Sequence, residues 1–386
     1  MLSAIDQGLI YALLALGVFL TFRILNFADL TVDATFTTGA GTCAILISNG
    51  YNPWFAVAAG ATAGAIGGGI TAFLHLACKI DPLLASILTM LGLYSVNLRI
   101  MGRANVSLLG ATNIFSPLED RRLMGSLYSV LALAIFVLIF KFLIDWFLSV
   151  DLGLAIMATG DNPSMAASFG VSAARTKTIG LMLANGLTGL CGALMAQYQG
   201  FADISGGTGL ILIGLASVIL GNAVLGTRFM FFSTLGVVVG SVGYRLVIYY
   251  ALLTPWVKAQ DMKIISAVIV VVALVVSQSR VLRDVVGKAK ATLRRGVSAL
   301  VRQFPALRKL GDAVSRLPGF KSLSKLPEPM TAVPNSFSPF ADLDSHALAR
   351  ALPIDDDSDD GNSTSALAAT TANVGVGLTT STQEVN

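Results

Sequence analysis

The sequence predicts an all-α fold: a polytopic transmembrane helix bundle of about nine spans, with a short cytosolic helix and a disordered C-terminal tail. Three observations carry this. Of 386 residues, 54% are hydrophobic and 12% charged, where soluble domains carry about a quarter charged. Mean hydropathy is +0.75, which excludes a soluble enzyme. Span-length apolar runs follow one another to about Ser279, and many of the 38 glycines stand four apart within them.

The runs cover 3–25, 34–49, 53–78, 82–101, 127–148, 178–198, 210–224, 229–253 and 264–279. The first has no basic leader and no small-residue cleavage site, so it reads as a retained span. The runs 34–49 and 210–224 are short enough to be re-entrant. Between 280 and 325 Lys and Arg far outnumber Asp, which predicts a cytosolic C-terminus. An odd span count then puts the N-terminus outside, and Arg23, Lys79, Arg175, Lys177 and Arg228 fall at inner connections. The loop 103–122 falls outside, with Glu119 and Asp120 offsetting Arg121 and Arg122. Gly60, Gly64 and Gly68, and Gly236 and Gly240, read as close helix contacts. Cys43, Cys78 and Cys191 have no paired spacing and read as packing residues.

Three regions follow: a transmembrane domain (1–280), a basic amphipathic juxtamembrane segment (281–326) and an acidic, Ser/Thr-rich tail (327–386). In the second, Val297, Leu300, Val301, Phe304, Leu307, Leu310, Val314 and Leu317 recur opposite Arg302, Arg308, Lys309 and Arg316. Such a stretch lies on an anionic leaflet or serves only as a topology anchor, and Pro305 bends it. The tail, with DDDSDDGNSTS at its centre, lacks the apolar residues for a core.

The polar stretch GLAIMATGDNPSMAASFGVSAARTK (residues 153–177) interrupts the oily chain. Asn162 caps a helix opened by Pro163 and closed by Gly170, and Met165, Ala166 and Phe169 share a face. So short a helix is marginal alone in water and must dock, on its own bundle or on a partner. The plainer reading is an ordinary capped loop helix. No GxxxxGK[ST] phosphate loop occurs, so nucleotide, if used, binds another chain.

A polar break holds Asn26, Asp29, Thr31 and Asp33. Carboxylates near membrane depth face a cavity or a partner, which suits a solute pathway; equally, Asn26 or Asp29 caps the second span at the inner surface, with Thr31 and Asp33 solvated. Asn97 with Arg99, and Tyr244 with Arg245, lie toward outer span ends, where an arginine either receives a solute carboxylate or snorkels to headgroups. His75, near Lys79 and Asp81, reads as a packed or interfacial residue.

The segment LGLAIMATGDNPSMAASFGVSAARTK resembles the coupling segment of permease subunits of bacterial ABC importers of the branched-chain amino acid and ribose type, with its G-x-N-x-x-x-A-x-x-x-G-[IV] run. GGTGLILIGLASVILGNAVLG and RILNFADLTVDATFTTGA are similar to two further motifs of that family, so the resemblance covers about residues 5–280. LNFADLTVD followed by ILTMLGLYSVNLRIMGRANVSLLG looks most like the subgroup associated with tryptophan or tyrosine. The resemblance implies that Gly160, Asp161, Asn162, Met165, Ala166, Phe169 and Gly170 form the ATPase-coupling helix. It implies two cytosolic ATPase subunits, a second permease copy, an external solute-binding protein, membrane lipid, no nucleic acid and the bacterial inner membrane. It implies no catalytic residue, no metal and no cofactor on this chain, with ATP and Mg on the partner ATPase. The expected cargo is an amino acid or related small polar solute; the alternatives are a sugar or nucleoside. An ion-coupled secondary transporter and a signalling membrane anchor are the rival classes.

Overall fold

A computed structural model describes residues 1–117, 125–225 and 230–253, with Val268 and Val271 as single residues. The rest of the run 264–279, the segment 281–326, the tail 327–386, and Glu119, Asp120, Arg121, Arg122 and Arg228 lie outside the described residues.

In chain order the elements are α1 (Leu2–Val18), continued by a π-helical turn (Phe19–Ile24), α2 (Thr31–Ser48), α3 (Pro53–Leu76), α4 (Pro82–Met101), β1 (Asn105–Ser107), α5 (Leu127–Ser149), α6 (Asp151–Asp161), α7 (Pro163–Ser168), α8 (Ala173–Gln199), β2 (Phe201–Asp203), α9 (Leu210–Leu225) and α10 (Met230–Leu252). Local chemistry sets the helix starts. At Asn52, Asp81 and Asn162 a side-chain oxygen accepts the amide of Trp54 (2.9 Å), Leu83 (3.0 Å) and Met165 (3.0 Å). Each is followed by a proline, whose fixed φ opens the helix without an orphan N–H.

One element departs from the expected all-α fold. α4 and α8 both end on left-handed glycines, Gly102 (φ 66) and Gly200 (φ 76), and the chain passes into β1 and β2. These pair antiparallel with Val106 opposite Ala202. Asp203, in this ribbon, accepts from the Ser205 amide (2.7 Å) and from the Asn105 side chain (3.4 Å). Its pKa therefore lies below the ordinary 3.8, with the Ser205 hydrogen bonds the main cause. A lowered carboxylate pKa adds stability above 3.8 that is lost as pH falls through the lowered value. Ribbon amides such as Ile204 N–H, bonded to the Ala104 carbonyl, should keep their hydrogen-exchange protection from pH 7 to 4 and lose it in more acid solution. The Asp203→Asn variant should show no such acid step.

Among the described residues, six helices are long and apolar enough to cross a membrane. The expected runs 34–49 and 210–224 form α2 and α9, of 18 and 16 residues, and both begin inside the bundle. Asp29, just before α2, accepts at 2.7 Å from Asn185, which sits near the midpoint of α8. The other end of α2 reaches the ribbon end of α8, where Gln197 donates to Cys43 Sγ (3.3 Å). α9 starts where the Asp33 carboxylate accepts from the amides of Gly209 (2.7 Å) and Ile211 (2.9 Å). The expectation that Thr31 and Asp33 are solvated at the inner surface is therefore corrected. Thr31 is fully buried, and Asp33 is half-buried as the cap of another helix.

α1 also starts at the ribbon end, where Asp6 meets Ser129 of α5 (2.7 Å) and Tyr198 of α8 (3.4 Å). Its far end lies beside α6, because a Cβ at Gly160 would fall on the Ile24 carbonyl oxygen. α8 runs through the middle of the bundle against α1, α2 and α3. The glycines make this seam: a Cβ at Gly189 would lie 2.6 Å from the Gly60 oxygen, and one at Gly64 2.5 Å from the Asn185 oxygen. Backbones this close replace the hydrophobic drive that lipid does not supply. Gly221 and Gly236 form a second such contact between α9 and α10. Cys43 and Cys191 are buried as expected of packing residues, but Cys78 is exposed.

Candidate functional site

The break before α2 gathers polar side chains that no local motif links. Asp29 Oδ1 accepts the Thr31 amide (2.9 Å) and Oδ2 the Asn185 side chain (2.7 Å). Thr35 donates to Asn185 Oδ1 (2.8 Å), and the Thr31 and Thr71 hydroxyls lie 2.7 Å apart. With no water in the bilayer core, each polar group must find a protein partner, and this cluster supplies those partners. Asp29 thus holds the first amide of α2 within the bundle rather than at its surface. Asn26, by contrast, is exposed and takes a left-handed φ of 51.

The other predicted pathway residues part company. Asn97 is buried, donates to the Ala34 carbonyl (3.2 Å), and its Oδ1 has no partner among the described residues. It faces a cavity of about 150 Å³ shared with Asp33, Thr37, Tyr94 and Thr208. Arg99 lies on the exposed side of α4, away from that cavity's lining. Arg245 is half-buried, its guanidinium carbon 4.3 Å from the centroid of the Tyr11 ring. It lines a second cavity of about 440 Å³ with Gln7, Tyr11, Gln199 and Thr208. Thr208 borders both cavities. His75 bonds the Ile80 carbonyl through Nδ1 (2.9 Å) and meets the Phe27 ring edge-on.

At the opposite end from the ribbon, α6 runs into α7 through the Asn162 cap. Ala166 is buried, whereas Met165 is 58% and Phe169 77% exposed. Gly170 closes the turn at φ 82. The short helix therefore turns one small side chain inward and two large apolar ones outward.

Sequence reading missed Asn185, Tyr11, Gln7 and Gln199, which are polar groups inside apolar helices with no motif around them. It also missed Lys141 and Asp145 of α5. These are an ion pair at 2.5 Å with both side chains buried, where Thr234 of α10 donates to Asp145 (2.7 Å) and Lys141 Nζ lies 3.0 Å from the Phe231 ring centroid. Their signal was available: opposite charges four apart in an apolar run share a helix face and are too costly in lipid to stand apart.

A family model described as "Branched-chain amino acid transport system / permease component" matches residues 1–276. The chain belongs to this permease family. The permease is 37% identical over 274 residues to the tyrosine transport system permease protein of Clostridioides difficile (strain R20291), covering 71% of this chain and 90% of that one. It is 30% identical over 228 residues to the autoinducer 2 import system permease protein LsrC of Enterobacter sp. (strain 638), covering 58% of this chain and 62% of that one. No solved structure matches. The family and the tyrosine-related subgroup expected from the motifs are thus both found, and the chain is a multi-pass membrane protein.

Proposed function

We propose that this permease is the membrane subunit of an ATP-driven ABC importer, delivering into the cell a small polar solute handed to it by an external binding protein. Two cytosolic ATPase subunits and a second permease copy complete it, and ATP and Mg bind the ATPases, not this chain. The N-terminus and the β1–β2 ribbon face outside, and α6 and α7 face the cytosol. The cargo is an amino acid or related molecule, in line with the tyrosine transport relative; the autoinducer 2 relative keeps a sugar-like solute as the second reading.

The observation that carries this reading is the outward face of α7. Gly160, Asp161, Asn162, Met165, Ala166, Phe169 and Gly170 form the coupling element, and Met165 and Phe169 offer the apolar contact that a groove on an ATPase would cover. A contiguous set of contacts leads inward from it. Gly160 abuts Ile24, the next residue Leu25 packs on Gly180 of α8, and the chain then reaches Asp29 and its partner Asn185. A push on α7 thus bears on the polar break at mid-bundle. Nothing in the cycle requires this chain to make or break a bond.

The test uses the full chain reconstituted with the ATPase encoded beside it. Single cysteines at Ser164 and Ser168 should crosslink to the ATPase, and Met165→Asp with Phe169→Asp should abolish binding-protein-stimulated ATP hydrolysis while the permease still folds. Absence of crosslinks, with stimulation intact in the double variant, would replace this reading with the ion-coupled transporter.

A further inference from the structure

The cavity of about 440 Å³ bounded by α1, the end of α8, the turn before α9 and α10 carries a positive charge that no carboxylate among its described lining residues answers. Arg245 is the one charged residue among the described residues that line it. Among the described residues its buried Nε has no hydrogen-bond partner, while the guanidinium hydrogen-bonds the Tyr11 side chain. Asp33 reaches the same turn, but it spends its oxygens on the amides of Gly209 and Ile211. The Tyr11 ring holds the guanidinium by cation–π contact, which fixes its position without neutralising it. A snorkelling arginine would extend along the helix toward the surface; this one is pinned sideways onto α1, at the cavity wall. An arginine held at membrane depth beside open space, with no carboxylate among the described lining residues to meet it, is arranged to meet an anion that arrives.

We propose that this cavity is a solute subsite in which the Arg245 guanidinium, seated on Tyr11, receives the carboxylate of the transported solute, with Gln7, Gln199 and Thr208 as neutral hydrogen-bonding partners. The proposal rests on the reading of the chain as a transport subunit and narrows its cargo to solutes bearing an anionic group. A neutral sugar would leave the guanidinium unanswered.

The experiment uses the full chain in lipid nanodiscs with Thr208→Cys as reporter. Rates of modification by sulfonatoethyl methanethiosulfonate (anionic) and trimethylammonioethyl methanethiosulfonate (cationic) are read by mass spectrometry, with the exposed native Cys78 as internal control. Removing the guanidinium should lower the anionic-to-cationic rate ratio at the reporter about tenfold, the size expected for one unit charge several ångströms away in a partly screened site. Arg245→Gln and Arg245→Met are both made, so that a folding defect in one does not decide the matter. Arg245→Lys should keep the ratio, and Cys78 should show no change in any variant. An unchanged reporter ratio in both neutral variants overturns the proposal. The result is independent of the ATPase experiment: crosslinks with an unchanged ratio remove the anion subsite alone, and a changed ratio without crosslinks removes the ABC reading alone.

Discussion

Replacing Lys141 with methionine should destabilise the protein by about 3–5 kcal/mol, more than replacing Lys141 and Asp145 together. The asymmetry follows from the surroundings of the pair. Both side chains are buried in α5, and Asp145 is further held by Thr234 of α10. Lys141→Met leaves a carboxylate in an apolar interior with one hydroxyl for company, so the group must either stay charged at high cost or take up a proton. The double variant Lys141→Met/Asp145→Leu removes both desolvation costs and loses only the α5–α10 tie through Thr234. The check is the unfolding midpoint of the purified chain in detergent, compared across the single and double variants. If the single variant is as stable as the double, water reaches the pair and the burial argument fails.

A valine at Gly39 should cost about 3 kcal/mol or more, or leave no folded protein to purify. The Cα of Gly39 in α2 faces Gly189 of α8 so closely that even one added carbon would fall on the Gly189 peptide. No rotamer relieves this, because the obstacle is backbone. The helices must move apart, and Gly189 is also in contact with Gly60 and Gly64 of α3, so the strain spreads to a third helix. Gly92→Ala is the matched control: nothing among the described residues lies within 4 Å of its Cβ position. In mid-helix that change should be neutral or stabilising by about 0.5–1 kcal/mol. Monodispersity after solubilisation and the thermal midpoint separate the two outcomes.

Much of this architecture is legible in the sequence because its causes are local. The Asn-Pro and Asp-Pro steps at Asn52, Asp81 and Asn162 announce helix starts through a side chain and an amide two or three residues on. The spacing of Gly60, Gly64 and Gly68 shows a face for close approach, although not that Gly189 fills it. What escaped are relations across long stretches of chain. Asp29 reads equally as a surface cap or a pathway acid until Asn185, 156 positions later, is found bonded to it. Asp33 caps a helix beginning beyond Gly209, 176 positions on. Neither pairing leaves a trace in the periodicity of its own segment. Arg245 was readable as a pathway candidate, but Tyr11, which turns it toward the cavity, was one apolar-looking residue among many. Arg99 shared the same sequence argument and lies on the exposed face of α4, because burial depends on which neighbours the bundle supplies.

The long reach of Asp29 also sets an order of events at the ribosome. The first transmembrane helix can enter the bilayer as it emerges, but the helix after it carries threonines and Asp33, follows closely on Asp29, and has no mate for either carboxylate. At ordinary synthesis rates of about 5–20 residues per second, Asn185 appears about 10–30 s after Asp29. For that interval the segment from Asn26 to Thr38 must wait in the insertion machinery or at the membrane surface, since lipid alone would not accept it. Chains halted before Gln199 would therefore stay unfinished at their N-terminal end too, and quality-control proteases would meet them there.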